Sequence, residues 1–264
     1  MYSLLNSVLN LYLALINLNI FINFKFVVWK YSIMKFFWNK IFSRNSKNWE
    51  WKRMKLEFLT AKYNINPLGI AHIGGWKCIE VHKYFELYGN IPIVFVEANE
   101  KLKPFIEENI NRYEKVRCEY IALGNKNSNE ILNLNFSNPD NDDIGQSSSI
   151  LEPLLHPPIG TNKIEVKMTT ANNLLKNDRV DFLAIDVQGY ELEVLKGASE
   201  LLSDINFIIT EVNKTEQYNG CALISDLDNY LKKFDFIRVE TEWWGGSGDW
   251  GDAFYIKKNL LSQV

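Results

Sequence analysis

The chain has 264 residues, 47% hydrophobic and 14% aromatic, which supplies one substantial core but not two large domains. A formal net charge of -3 provides no basic surface of the kind that displaces counterions from phosphate, so no nucleic-acid partner is expected. Cys78, Cys118 and Cys221 are scattered without a C-x-x-C pair, as are the three histidines. This argues against a disulfide frame or a zinc site and for reduced thiols in a cytoplasmic setting.

Met1 to Phe24 contains no charged residue, and basic residues follow from Lys25 onwards. About 20 such residues suffice to cross a bilayer. Asn6, Asn10, Asn17, Asn19 and Asn23 interrupt the run, however, and each amide is costly in hydrocarbon. No basic stretch precedes the run and no small-residue cleavage site follows it, unlike a secretory signal. Two readings stay open for residues 1–33: a membrane anchor carried by residues 1–30, or a stretch upstream of a start at Met34. Residues 34–66 form a helical extension on this reading, and 67–264 form the main domain.

From Leu68 the pattern alternates between strands and helices. Leu68 to Ile73 is an apolar run ended by Gly74-Gly75, which suits a buried strand and a tight turn. Helical spacing follows, with Ile79, Tyr84, Phe85 and Leu87 as its apolar positions, until Gly89-Asn90. Ile93 to Glu97 is a second strand, Lys101 to Tyr113 a helix, and Arg117 to Leu123 a third strand. The region Glu130 to Met168 departs from this rhythm. A strand hint at Ile131 to Phe136 is followed by the acidic turn Asn138 to Asp143, the Gln146 to Leu155 stretch and a strand at Ile164 to Met168. An insertion of this size is expected to act as a lid or to face a substrate.

Regular alternation then resumes. Val180 to Asp186 reads as a strand, Tyr190 to Leu202 as a helix and Phe207 to Glu211 as a strand. Ile224 to Phe234 is helical, and Phe236 to Glu240 and Ala253 to Lys257 are the last strands. The expected fold is therefore α/β, with a mainly parallel sheet between helices. No helix separates the final pair, which should form an antiparallel hairpin at one edge. Gly246 to Gly251 matches G-x-G-x-x-G by letter, but a strand and not a helix follows it. It is a hairpin connection, with Trp243, Trp244 and Trp250 available either to complete the core or to face a ligand.

Ligands of an open parallel sheet bind beyond the carboxyl ends of its strands. Those ends carry His72, Gly74 and Gly75; Glu97 and Ala98; Ala122; Asp186; and Glu211 with Asn213. A carboxylate at the end of the second strand can accept hydrogen bonds from both ribose hydroxyls. The first loop lacks the glycine fingerprint that brings amides to a pyrophosphate, which argues against a dehydrogenase and for S-adenosylmethionine, a nucleoside without phosphates. Asp186, Glu211 and His156 are the available proton acceptors at the mouth of such a crevice. No metal-ligand cluster is visible.

Val180-Asp181-Phe182-Leu183-Ala184-Ile185-Asp186-Val187-Gln188-Gly189-Tyr190-Glu191 and its continuation to Ala198 resemble the hallmark of FkbM-type methyltransferases. That family reads roughly D-x-x-K-I-D-V-E-G-x-E-x-x-V-L-x-G-A here. Phe95 to Asn99, Gln146 to Ile150, Ile209 to Asn213 and Trp250 to Ile256 agree in the same order, so the resemblance runs from Leu68 to about Lys257. It implies a class I, Rossmann-like methyltransferase fold and O-methylation of a sugar or a related small molecule. Carried over by position, it implies donor contacts at Gly74, Gly75, Glu97, Ala122 and Asp186, with Ser147 and Ser148 reaching in from the insertion. His72 stands where many members have aspartate, and Cys78 where many have a third glycine. A binding or scaffold protein that kept the fold is the alternative these departures leave.

Overall fold

The computed structural model describes residues 54–136, 145–154, 160–244 and 248–263. The N-terminal 1–33 segment, most of the 34–66 extension, the acidic turn at 138–143 and His156 lie outside the described residues.

The main sheet has seven strands in the order β3 (Val116–Glu119), β2 (Ile93–Val96), β1 (Ile70–Ile73), β7 (Phe182–Ile185), β8 (Phe207–Asn213), β10 (Trp250–Lys257) and β9 (Phe236–Trp244). Three central strands, β1 (Ile70–Ile73), β2 (Ile93–Val96) and β7 (Phe182–Ile185), are buried at every residue. Continuous apolar runs of four are what a parallel strand covered on both faces requires. Ile70 pairs with Ile93 on one side and Phe182 on the other, both parallel. Strand β3 (Val116–Glu119) pairs with β2 at one end, and β8 (Phe207–Asn213) follows β7 at the other. The chain runs outwards from β1 through β2 to β3, then returns to the opposite side of β1 as β7. Order therefore reverses between β1 and β7, where a ligand crevice opens in sheets of this kind.

Alternate residues of each strand feed two cores. Ala71, Ile73, Val94, Val96, Leu183, Ile185 and Ile208 meet helices Glu191–Gly197 and Ile224–Leu231 on one face. Ile70, Ile93, Phe95, Phe182, Phe207 and Phe254 meet helices Leu56–Tyr63, Val81–Tyr88 and Lys103–Ile110 on the other. Helix Leu56–Tyr63 joins this second core through Leu59 and Tyr63, and the Tyr63 hydroxyl donates to Glu240 at 2.7 Å. Within helix Val81–Tyr88 the buried positions are Val81 and Tyr84. Ile79 and Phe85, expected on the buried face, are 38% and 42% exposed because the helix begins later and is rotated from the sequence-derived register.

Strands β9 (Phe236–Trp244) and β10 (Trp250–Lys257) form the expected antiparallel hairpin, longer at its tip than the apolar pattern indicates. Strand β10 lies between β8 and β9, so β9 is the edge.

The stretch Arg117 to Leu123 is two strands and not one. After β3 the chain leaves the main sheet, and β4 (Ala122–Leu123) pairs in parallel with β6 (Gly160–Thr169). Strand β5 (Ser128–Phe136) pairs antiparallel with β6, which makes the insertion a second sheet in the order β4-β6-β5. Ala122, Leu132, Leu134, Val166 and Met168 form its own small core. The helix expected to reach Leu202 stops at Gly197, where a Cβ would lie 1.9 Å from the Gly124 carbonyl oxygen. Helix and insertion thus touch through bare backbone. A short helix at Ala171–Leu175, opened by the Thr170 hydroxyl accepting from the Asn173 N–H, has too few turns to show a sequence period. Among the described residues, no helix is long and apolar enough to cross a membrane.

Candidate active site

A shallow crevice open to solvent lies at the carboxyl ends of β1, β2 and β7, beside the second sheet. Its walls come from Gly74 and Trp76 after β1, Glu97 and Ala98 after β2, Ala122 in β4, Asp186 to Gln188 after β7, and residues of the 145–150 stretch.

The turn after β1 is shaped by close approach. Gly74 has a φ of +85°, and a Cβ there would sit 1.8 Å from the Asp186 carbonyl oxygen. Only glycine lets the ends of β1 and β7 pass this closely. Trp76 and Cys78 also take left-handed conformations, with φ of +45° and +56°. Position 78 therefore has a backbone conformation that glycine adopts freely and that Cys78 adopts at a cost of roughly 1–2 kcal/mol. Its thiol is buried against Gly75, where a Cβ would lie 3.0 Å from Sγ.

Glu97 is held by this turn. One carboxylate oxygen accepts the Trp76 N–H and the other the Asn99 N–H, each at 2.8 Å. Burial pushes the carboxyl up to about 7; the backbone N–H groups of Asn99, Trp76 and Ala98 pull it down, and the Asp186 charge adds to the upward push. Each oxygen retains a lone pair for a further donor.

The turn after β7 is built from side chains. Gln188 has a φ of +56° and Gly189 a φ of +97°. A Cβ on Gly189 would lie 2.9 Å from the Tyr218 ring. The Glu191 carboxylate accepts the N–H groups of Val187 at 3.1 Å and Gly189 at 3.0 Å, folding the turn onto the start of its helix. Burial raises the affinity of Glu191 for a proton, and the Asp186 charge adds to that effect. The Gln188 amide nitrogen donates to Asp186 at 2.7 Å and to Glu211 at 2.9 Å.

The second sheet is tied to this turn at Ser149, whose hydroxyl donates to the Gln188 carbonyl at 2.6 Å. Asn133 of β5 exchanges backbone hydrogen bonds with Ser149, and its side-chain nitrogen donates to the carbonyls of Ser149, Ile150 and Leu151. The stretch at 145–151 is thereby pinned beside the crevice.

Of the residues read from the sequence, the structure gathers Gly74, Glu97, Ala98, Ala122, Ser148 and Asp186 around the crevice. Four others, His72, Gly75, Ser147 and Glu211, stand elsewhere. His72 lies in the second core, its Nδ1 3.0 Å from the Tyr84 hydroxyl and its ring against Phe95, because strand alternation points it with Ile70 away from the mouth. Gly75 packs on Cys78 and Phe95, and Ser147 is exposed outside the lining. Glu211 is buried behind Gln188 and does not line the crevice, while His156 lies outside the described residues. Trp243 packs against the first core and the Trp244 indole donates to Asp252 at 3.3 Å, whereas Trp250 is 38% exposed. Gln188, Ser149 and Tyr218 were not singled out from the sequence. One signal for Gln188 was present, since it occupies the glutamate position of the D-V-E-G pattern. Among the described residues, no group of three or more acidic, histidine or cysteine side chains is arranged to hold a metal ion.

The sheet order, the antiparallel edge and the crevice at the reversal point define a class I, Rossmann-like methyltransferase fold. The sequence profile of the methyltransferase FkbM domain matches residues 71–238, well over half of the chain, and the chain belongs to this family. No curated protein sequence matches it. Solved structures similar to it include a SAM dependent methyltransferase from Aquifex aeolicus, at 12% identity over 76% of this chain and 88% of that one, TM-score 0.42. A precorrin-6y C5,15-methyltransferase from Geobacter metallireducens is similar at 12% identity over 78% and 92%, TM-score 0.42. TrmK of M. capricolum, solved with S-adenosyl-homocysteine, is similar at 9% identity over 76% and 68%, TM-score 0.43.

Proposed function

We propose that the chain is an S-adenosylmethionine-dependent O-methyltransferase acting on a hydroxyl of a sugar, a glycan or a related small molecule. The observation that carries the donor assignment is Glu97, a half-buried carboxylate at the end of β2 whose two oxygens are oriented by backbone N–H groups. A ribose presents two adjacent hydroxyl donors, which matches the two remaining lone pairs. Gly74, Glu97, Ala98, Ala122, Ser148 and Asp186 would hold the donor.

When bound, S-adenosylmethionine supplies an electrophilic methyl group that leaves sulfur for the acceptor oxygen. The chain contributes alignment, exclusion of water and a base. Asp186 lines the crevice and takes the acceptor's hydroxyl proton in this reading; Glu211, buried behind Gln188, supports it from the rear. The FkbM family resemblance supports a hydroxyl acceptor. The net charge of -3 makes a nucleic-acid acceptor unfavourable.

Thermal unfolding of the full chain with S-adenosylhomocysteine, NAD or buffer alone tests the donor. At about 100 times its dissociation constant, a ligand specific for the folded state adds about 2.7 kcal/mol. A rise with S-adenosylhomocysteine and none with NAD is expected; no rise at saturation would remove the donor assignment. Transfer of labelled methyl to a panel of sugars, with an RNA control, then tests the acceptor class.

A further inference from the structure

The turn after β7 contains a bridge that methyl transfer does not itself demand. Gln188 Nε2 carries two hydrogens and places one on Asp186 Oδ1 at 2.7 Å and one on Glu211 Oε2 at 2.9 Å. At its other end, Gln188 Oε1 accepts the Tyr218 hydroxyl at 2.5 Å. Tyr218 is buried, and its ring packs on Gly189. Below the side chain, the Gln188 carbonyl accepts the Ser149 hydroxyl, and the backbone is held left-handed. The amide has one tolerable sense. Turned over, it would set a carbonyl oxygen against two carboxylates and an amide nitrogen against the tyrosine hydroxyl's hydrogen.

The surroundings make that sense matter. The Asp186 charge is felt at Glu97, Glu191 and Tyr218, that of Glu211 at Tyr218, and Asp252 of β10 stands in register with Glu211, followed by Glu242 of β9. Neighbouring carboxylates in an acidic field share a proton unless a donor or a cation lies between them. An acid that retains its proton cannot act as a base. A neutral amide answers this without adding charge.

We propose that Gln188 is a positioning residue that keeps Asp186 and Glu211 ionised side by side, with Tyr218 fixing the sense of its amide, so that Asp186 presents a proton-accepting carboxylate to the crevice. The inference rests on the methyl-transfer reading for its purpose, but the bridge itself is a property of these four side chains. Gln188 neither gives nor takes a proton.

The test is a carbon-13 NMR titration of side-chain carboxyls in the full chain between pH 5 and 9. The two resonances are assigned with Asp186→Asn and Glu211→Gln, and S-adenosylhomocysteine binding is measured on the same samples. Gln188→Leu removes both amide groups at similar size, and one carboxyl of the pair should then titrate at least one pH unit higher than in the wild type. Gln188→Glu, a third acid in the same space, should move it further. Tyr218→Phe should move it in the same direction by less. A Gln188→Leu protein that binds S-adenosylhomocysteine with an unchanged carboxyl titration overturns the proposal. If Gln188→Leu does not fold, Tyr218→Phe decides: an upward shift supports the bridge, and no shift overturns it. Failure of the wild type to bind S-adenosylhomocysteine would instead strike the methyl-transfer reading, while the titration would still report on the bridge.

Discussion

The two walls of the crevice are made of different material. The wall after β1 and β2 is mostly main chain: Gly74 lies under the Asp186 carbonyl, the N–H of Trp76 is turned inwards, and one carboxylate, Glu97, is oriented by amides. The wall after β7 is mostly side chain: Asp186 and Gln188 line it, Glu211 and Tyr218 hold Gln188 from behind, and Glu191 accepts the N–H groups of Val187 and Gly189. A wall of main chain tolerates few substitutions, because each added atom meets backbone. A wall of side chains can be edited one group at a time, with effects on protonation before effects on shape.

The largest expected effect is at Gly74. Gly74→Ala places a Cβ 1.8 Å from the Asp186 oxygen at a φ of +85°, so the two strand ends must separate. Affinity for S-adenosylhomocysteine should fall at least 100-fold by calorimetry, about 2.7 kcal/mol, with lowered thermal stability. Retained affinity would mean that this turn does not shape the donor site.

Next comes Glu97, where binding and stability should part company. Glu97→Gln keeps the shape but loses the ionised acceptor, and S-adenosylhomocysteine affinity should drop about tenfold or more, in keeping with 1.5–3 kcal/mol for a charged hydrogen bond. At pH 8 the unliganded variant should unfold close to the wild type, because losing the cost of burying a charge offsets the backbone N–H left facing its amide nitrogen.

The pH dependence sharpens the same contrast. The Glu97 carboxyl is raised in the folded chain to about 7 from an ordinary 4.5, so between those values the folded state holds a proton that the unfolded state has released. Its stability contribution is complete below about pH 4.5 and is lost as pH rises through 7, by at most about 3 kcal/mol at 1.36 kcal/mol per unit. Glu191 acts in the same direction. Unliganded protein should therefore denature at lower urea concentration at pH 8 than at pH 5.5. Ligand affinity should run the opposite way, falling below pH 7 as Glu97 is protonated. An affinity flat from pH 5.5 to 8 would separate Glu97 from the ligand.

The smallest effects fall on the hairpin. Trp250→Ala should change folding stability by less than about 0.5 kcal/mol, whereas Trp243→Ala should cost on the order of 1–3 kcal/mol, since only Trp243 packs on the core. Urea titrations of both variants check this.

By itself the sequence determined the strands, the helices between them and the antiparallel edge. Runs such as Ile93 to Val96 are too short and too apolar to be anything but strands buried on two faces, and a missing helix between β9 and β10 leaves only a hairpin. It also placed Gly74, Glu97 and Asp186 at the crevice, since strand-end positions follow from strand order. Tertiary structure decided the rest. His72 turned into the core because one step along a strand reverses the face, and no rule at the strand end fixes which residue is last. Arg117 to Leu123 divided between two sheets because a partner 46 residues later, Met168, captures Ala122. Gln188 came to join Asp186 to Glu211 and Tyr218 because the chain folds back over spans of 23 and 30 residues, and hydrogen bonds across such distances leave no periodic mark on the sequence.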